Sequence, residues 1–131
     1  METGSIVEYI DQQKIITAVI LQVKNGKLRL LTENNREINF SEKRLSHVSE
    51  DKLDCSTNKD YLVKQLKQIN RNRKTLSEKI DIAELWEVLH EENEEIDIST
   101  MAQFCFDPPV SSDNEAAVLR AFFNDRLYFK F

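Results

Sequence analysis

The stretch Lys14-Ile-Ile-Thr-Ala-Val-Ile-Leu-Gln-Val-Lys-Asn-Gly-Lys-Leu-Arg-Leu-Leu-Thr32 predicts two antiparallel strands joined by a tight turn. Its many β-branched residues favour extended backbone. Both central positions of a type I′ turn need a positive φ angle, and an Asn-Gly pair adopts this conformation at low cost. We therefore expect a hairpin with strands from Lys14 to Val23 and from Lys27 to Thr32, closed at Asn25-Gly26.

Further short strands are predicted on both sides of this hairpin. Ser5 to Ile10 alternates weakly between apolar and polar residues, and a second turn at Asn34-Asn35 leads into a strand from Arg36 to Phe40. A last short strand is expected near Arg44 to Val48. Five short strands joined by tight turns within residues 1–50 favour a small SH3-like β-barrel.

The hydrophobic pattern changes after this segment to the helical period of about 3.6 residues. The apolar residues that share one helical face are Leu62, Leu66, Ile69, Leu76 and Ile80, with Arg73 interrupting them. Thr57 or Asn58 is a suitable N-cap, and Asp60 lies in the first turn, where a helix dipole favours negative charge. Residues 51–80 are therefore predicted to form a basic connecting helix.

Residues 81–131 are predicted to form a winged-helix-like domain with an incomplete wing. Helices are expected at Asp81 to His90, at Ser99 to Phe106 and from the capping box Ser112-x-x-Glu115 onward, with a short strand at Ile96 to Ile98. The aromatic residues at helical spacing are interpreted as core: Trp86, Phe104, Phe106, Phe122 and Phe123. The segment Asp125 to Phe131 resembles an unpaired strand, which folded domains normally cover, so we expect a fragment of a longer protein. The predicted fold class is α+β.

The net charge of -5 is distributed unevenly along the chain. Residues 1–50 hold seven basic and seven acidic side chains, residues 51–80 hold eight and four, and residues 81–131 hold three and twelve. Binding to phosphates requires concentrated Lys and Arg, because the release of condensed counterions supplies most nonspecific affinity. Only the middle segment, with a charge of +4, offers that concentration.

Four basic residues lie opposite the apolar face of the predicted helix and form a stripe, here called the ridge. They are Lys64, Lys67, Arg71 and Lys74. Four such charges could hold the backbone of single-stranded RNA, with little sequence information. A solvated helix face, for which Lys and Arg are equally suited, is the alternative interpretation.

A second set of basic residues is predicted as an additional RNA-contacting edge of the first domain. These secondary candidates are Lys27, Arg29, Arg36, Lys43 and Arg44. Glu33, Glu37 and Glu42 interleave with them, so a mixed solvated surface is the alternative.

The sequence indicates no catalytic site. It contains no nucleophile with a base at a recognisable spacing and no Gly-rich phosphate loop, and the acidic run from Glu91 to Asp97 is contiguous rather than convergent. Cys55 and Cys105 are isolated thiols, so no metal ligands are predicted. The longest apolar run, Ile15 to Val23, is interrupted by polar residues, so we expect no membrane association and a cytoplasmic location.

Two stretches resemble bacterial exoribonucleases of the ribonuclease II family. Gly4-Ser-Ile-Val-Glu-Tyr-Ile10, with the hairpin after it and Arg36-Glu-Ile-Asn-Phe40, resembles the start of these enzymes. Ala117-Val-Leu-Arg-Ala-Phe-Phe-Asn-Asp-Arg-Leu-Tyr-Phe-Lys130 is similar to the segment that precedes their catalytic RNB domain. The resemblance implies an N-terminal accessory region of a processive 3′ to 5′ exoribonuclease. It also implies Mg²⁺ held by clustered aspartates in a downstream catalytic domain. No position here matches that aspartate motif, so no catalytic or metal residue is carried over and no cofactor is expected in this chain.

Three hypotheses follow. The leading one is a noncatalytic module that helps to bind or guide single-stranded RNA to its own downstream RNB catalytic domain. The alternative is a scaffold for protein-protein or interdomain packing without nucleic-acid contact. A free-standing regulator that binds duplex DNA is disfavoured, because the last predicted helix offers Arg120 alone against Asp113 and Glu115.

Overall fold

The computed structural model describes residues 1–89, 97–107 and 109–124. The strands are β1 (Ser5–Asp11), β2 (Lys14–Lys24), β3 (Lys27–Thr32), β4 (Glu37–Ser41) and β5 (His47–Lys52). The helices are α1 (Lys59–Ser77), α2 (Ile82–Leu89), α3 (Ile98–Cys105) and α4 (Ser112–Asn124), with a 3₁₀ turn at Glu42–Arg44. The α+β class is thus confirmed. The chain divides within α1 into two compact units, Met1–Arg71 and a second that begins at Asn72.

The five strands of the first unit form one antiparallel sheet in the order β4-β3-β2-β1-β5. The sheet is open, with β4 and β5 as its two edges, so the closed barrel expected from the sequence is not confirmed. The strand predicted near Arg44 to Val48 is displaced. Glu42–Arg44 forms the 3₁₀ turn, and β5 begins only at His47.

The two turns predicted from Asn residues are confirmed. Asn25 and Gly26 have φ angles of 51° and 77°, as a type I′ turn requires, and Lys24 lies directly opposite Lys27. Asn35 has a φ angle of 60°, and the Thr32 amide donates a hydrogen bond to the Arg36 carbonyl across that turn. The sheet register therefore follows from short polar segments that tolerate left-handed backbone.

Both faces of the sheet are covered by apolar side chains. One cluster contains Val7, Tyr9, Ala18, Ile20, Leu28, Leu30 and Phe40. On the opposite face, Val19 and Leu31 pack against Leu62 and Leu66 of α1. Because successive strand residues point to opposite faces, neighbouring apolar residues such as Leu30 and Leu31 enter different clusters. This packing fixes α1 against the sheet.

Gly4 connects the start of the chain to the sheet at a place where a side chain does not fit. Its φ angle is 91°, and a Cβ atom there would lie 2.5 Å from the Leu53 carbonyl oxygen. The Gly4 amide donates to the Ile20 carbonyl, and the Leu53 amide donates to the Gly4 carbonyl, each at 2.8 Å. The backbone approach therefore requires glycine at this position.

The start of α1 agrees with its predicted capping, whereas the helix ends at Ser77, before the predicted end at Ile80. The Asn58 side chain accepts a hydrogen bond from the Tyr61 amide at 2.8 Å, which makes Asn58 the N-cap. Arg73, which interrupts the apolar stripe, is fully buried, and its Nε donates to Asp113 Oδ1 at 2.8 Å. The apparent break in the pattern is thus a buried charge with a carboxylate partner.

In the second unit, Leu85, Ala102, Val118 and Phe122 form the core between α2, α3 and α4. The predicted capping box is shifted by one residue. The Asn114 amide donates to the Ser111 hydroxyl and the Ser111 amide donates to Asn114 Oδ1, each at 3.1 Å. Ser111, and not Ser112, is therefore the N-cap of α4, and Asn114 takes the place expected for Glu115.

Other details of the winged-helix prediction differ or are not confirmed. Ile98, expected in a short strand, is the first residue of α3, which Asp97 caps by accepting from the Thr100 amide. Phe104, interpreted as core, is 57% exposed, which shows that this interpretation was wrong. The final predicted strand at residues 125–131, most of the acidic run and the side chain of Trp86 lie outside the described part of the structure.

Candidate nucleic-acid interface

The four ridge residues are all exposed on α1. Lys64, Lys67 and Arg71 belong to the first unit, where Lys64 and Arg71 are seven positions apart, about 10 Å along a helix axis. Lys74 belongs to the second unit. Among the residues that the structure describes, none of the four forms an ion pair. Their charges therefore remain available to an external anion.

Three ridge residues line one groove of the first unit, with a volume of about 230 Å³; we call it the helix groove. Its lining residues are Asn35, Asp60, Val63, Lys64, Lys67 and Arg71. Lys74 lies on the same helix but does not line the groove. Three cations against one carboxylate leave a positive balance, and Asn35 adds an amide that can bind phosphate or sugar oxygens.

A hydrogen-bond network holds this part of α1 in place. The Asn70 Nδ2 atom donates to both carboxylate oxygens of Glu33 at 2.9 Å, and the Thr17 amide donates to Glu33 at 3.3 Å. The Thr17 hydroxyl in turn donates to the buried Glu8 carboxylate at 2.8 Å. Because Asn70 directly precedes Arg71, the network connects β1 and β2 to the helix segment that carries the ridge.

A second and larger groove, with a volume of about 700 Å³, lies over β2, β3 and β4; we call it the sheet groove. Its basic lining residues are Lys24, Lys27, Arg29 and Arg44, and none of its lining residues is acidic. Gln22, Asn39 and Ser41 contribute amide and hydroxyl groups, and Leu28 and Phe40 complete the lining.

The structure thus brings together three of the five secondary candidates, namely Lys27, Arg29 and Arg44. Arg36 and Lys43 are exposed and line neither groove. Sequence reasoning missed Lys24, although its position could have been found, because the first and last residues flanking a two-residue hairpin turn are cross-strand neighbours.

Glu37, the first residue of β4, contacts both β3 and the start of α1. Its carboxylate accepts a hydrogen bond from Arg29 Nε at 3.3 Å and forms an ion pair with Lys59. Hydrogen bonds from Lys59 and then from Arg29 hold the pKa of this carboxyl below its usual value. Glu37 is therefore ionised at neutral pH and partly neutralises one cation of the sheet groove.

Other candidate chemistry is limited. Arg120 is buried in α4, where its Nη1 donates to the Ala116 carbonyl at 3.3 Å. Burial raises the pKa of both thiols, Cys55 and Cys105, above the usual value. Within the described residues, no group of His, Cys, Asp and Glu is arranged to hold a metal ion. In the same residues, no helix has the length and apolar character that crossing a membrane requires.

Comparisons of the chain with family models, with curated proteins and with solved structures found no match.

Proposed function

We propose that this chain is a noncatalytic RNA-binding module of a ribonuclease II-like 3′ to 5′ exoribonuclease. In this proposal, the module binds single-stranded RNA or guides it to a downstream RNB catalytic domain, which would carry the Mg²⁺ needed for hydrolysis. The observation that carries the proposal is the helix groove, in which Lys64, Lys67 and Arg71 converge with positive balance.

The first unit is proposed to be SH3-like, and the second winged-helix-like. Five short antiparallel strands joined by tight turns support the first assignment. Three helices packed on one apolar core support the second. The assignment to the ribonuclease II family depends on the resemblance of the two sequence stretches alone.

The electrostatic character of the helix groove supports binding to the backbone of single-stranded RNA over sequence-specific recognition of duplex DNA. Lys and Arg side chains on one helix face contact backbone phosphates, which carry no base information directly. The ridge carries no aromatic residue on which bases could stack, so the expected binding is sequence-tolerant and strongly dependent on salt.

The test uses a labelled oligouridylate and the double variant Lys64→Gln/Lys67→Gln, with Lys14→Gln/Lys79→Gln as matched control. The control removes the same charge from exposed positions that line neither groove. We expect the ridge variant to lose about tenfold in affinity at 0.1 M salt, because two phosphate-binding cations are removed. Equal affinities of the two variants would contradict the proposal.

One observation favours the alternative function, a scaffold for protein contacts. Phe104 is 57% exposed on α3 and lines a cavity of about 180 Å³ with Leu85 and Cys105. Exposed aromatic side chains are enriched at protein interfaces. In this alternative, Phe104→Ser would abolish association with the catalytic domain. The ridge variants would bind RNA with the same low affinity as the unmodified chain.

A further inference from the structure

We infer that the sheet groove is a second contact surface for single-stranded RNA and that Glu37 acts there as an internal competitor for the phosphate groups. The inference deepens the proposed function, on which it rests, by adding a surface separate from the helix groove. It depends on the arrangement of the cations, the polar groups that accompany them and the ion pairs of Glu37.

Three basic residues of the sheet groove, Lys24 in β2 and Lys27 and Arg29 in β3, lie in register with polar residues of the neighbouring strands. Lys24 is directly opposite Lys27, and Lys27 is directly opposite Ser41. Two residues further along, Gln22 is opposite Arg29, and Arg29 is opposite Asn39. Since alternate strand residues share a face, these two rows present their side chains on the same side of the sheet.

This arrangement has an electrostatic cost that an anion would relieve. Like charges placed directly opposite each other on neighbouring strands are destabilising, and Lys24 and Lys27 form such a pair. Neither lysine forms an ion pair with any carboxylate in the described part of the chain. A phosphate bound between them would reduce this repulsion, and two backbone phosphates would neutralise both charges.

The remaining groups match a nucleic-acid backbone better than an acidic polypeptide. Gln22, Asn39 and Ser41 add neutral donors beside the cations, and such groups commonly bind phosphate and sugar oxygens. The Arg44 guanidinium lies over the Phe40 ring, 4.6 Å from its centroid. This contact orients the guanidinium plane, and an unpaired RNA base can stack on such a plane.

Glu37 limits the charge of the groove from outside its lining. Its carboxylate accepts a hydrogen bond from Arg29 Nε and forms an ion pair with Lys59, so a phosphate that binds Arg29 competes with the carboxylate for Nε and is repelled by its charge. The ion pairs are partly exposed, with 28% of the Glu37 side chain accessible, and exposed pairs are weak. Competition is therefore expected to be modest, and phosphate can displace the carboxylate.

The experiment measures oligouridylate binding by fluorescence anisotropy, with Glu37→Gln as the test variant and Glu42→Gln as its matched control. Both variants remove one negative charge from the same neighbourhood, but the structure records no ion pair for Glu42 among the described residues. We expect the Glu37→Gln variant to bind oligouridylate about two- to fivefold more tightly than the Glu42→Gln variant does. Equal effects of the two variants would overturn the competitor role.

A second arm tests the groove itself and separates it from the helix groove. Lys24→Gln/Lys27→Gln should weaken binding. It should also make the negative slope of log affinity against log salt less steep by about 1.4. Arg44→Lys, which keeps the charge but removes the planar group, should weaken binding of oligouridylate more than that of an abasic oligonucleotide of equal length.

The outcomes are distinguishable. If Lys64→Gln/Lys67→Gln weakens binding but Lys24→Gln/Lys27→Gln does not, the sheet-groove inference fails and the proposed function stands. If neither double variant weakens binding, both fail. Equal binding of polyglutamate and oligouridylate would also overturn the inference, because it would show a general anion surface. Far-UV circular dichroism of each variant establishes that it is folded.

Discussion

Replacing Glu33 by alanine should destabilise the first unit by removing the acceptor that connects α1 to the sheet. The carboxylate accepts two hydrogen bonds from Asn70 Nδ2 at 2.9 Å and one from the amide of Thr17, a residue with no exposed surface. Hydrogen bonds to charged groups contribute about 1.5–3 kcal/mol, and a buried amide without its acceptor adds about 1 kcal/mol or more. We therefore expect the free energy of unfolding to fall by about 2–4 kcal/mol.

Urea denaturation followed by far-UV circular dichroism measures this change. With a slope of about 2 kcal/mol per molar urea, the midpoint should fall by about 1–2 M. Glu42→Ala is the matched control, because Glu42 is exposed and the structure records no side-chain partner for it among the described residues.

A second variant approaches the same contact from the helix. Asn70→Asp would place a carboxylate against Glu33, and two carboxylates at this distance cannot both remain ionised. The destabilisation by Asn70→Asp should be largest near neutral pH and should diminish as the pH falls and one carboxyl is protonated.

The refuting result concerns the first variant. A Glu33→Ala midpoint within about 0.25 M of the Glu42→Ala midpoint would refute the reasoning, since that difference corresponds to only about 0.5 kcal/mol.

Three further predictions concern stability and reactivity. Gly4→Ala should cost at least about 1–2 kcal/mol in thermal or urea unfolding, because alanine disfavours the positive φ angle and its Cβ would meet the Leu53 carbonyl; an unchanged midpoint would show that the backbone approach is not as close as described. Asp113→Ala should destabilise the second unit by about 1.5–3 kcal/mol, because it removes the acceptor of the buried Arg73 Nε. Fluorescence of Trp86, the only tryptophan in the sequence, measures this change in urea, and Asp107→Ala, at an exposed site, should leave the transition in place. Cys55 and Cys105 should react with iodoacetamide more slowly than a free cysteine at pH 8, with rates that still rise above pH 9, because a raised pKa lowers the thiolate fraction; mass spectrometry of each peptide measures this, and a rate that reaches its plateau below pH 8 would contradict it.

Features set by neighbouring residues were predictable from the sequence. Asn25-Gly26 specifies a two-residue turn through local backbone preference alone, and the strands on both sides follow from it. The N-cap at Asn58 and the apolar face of α1 likewise depend on residues within a few positions. By contrast, Gln12 and Gln13 form the turn between β1 and β2 with φ angles of 49° and 64°. Glutamine has no particular preference for this conformation, so the pairing of the strands imposes it.

Features that depend on distant partners were not predictable. Arg73 looked like a break in an apolar stripe because its partner, Asp113, is 40 residues further along the chain. The ion pair between Glu37 and Lys59 spans 22 residues and cannot be read from spacing. Phe104 has the helical spacing of a core residue, but only the packing of α3 against α4 decides which side of that helix is covered. The ridge was predictable as a helix face, whereas the groove that Asn35 forms with it required the tertiary structure.

The most direct test of RNA binding by the ridge is the salt dependence of oligouridylate affinity. It compares the unmodified chain with the variant in which Lys64, Lys67, Arg71 and Lys74 are all replaced by Gln. If the ridge binds RNA, the negative slope of log affinity against log salt is less steep in the variant by about 2.8. Each phosphate that is no longer neutralised makes the slope less steep by about 0.7. Identical slopes for the two proteins would contradict it.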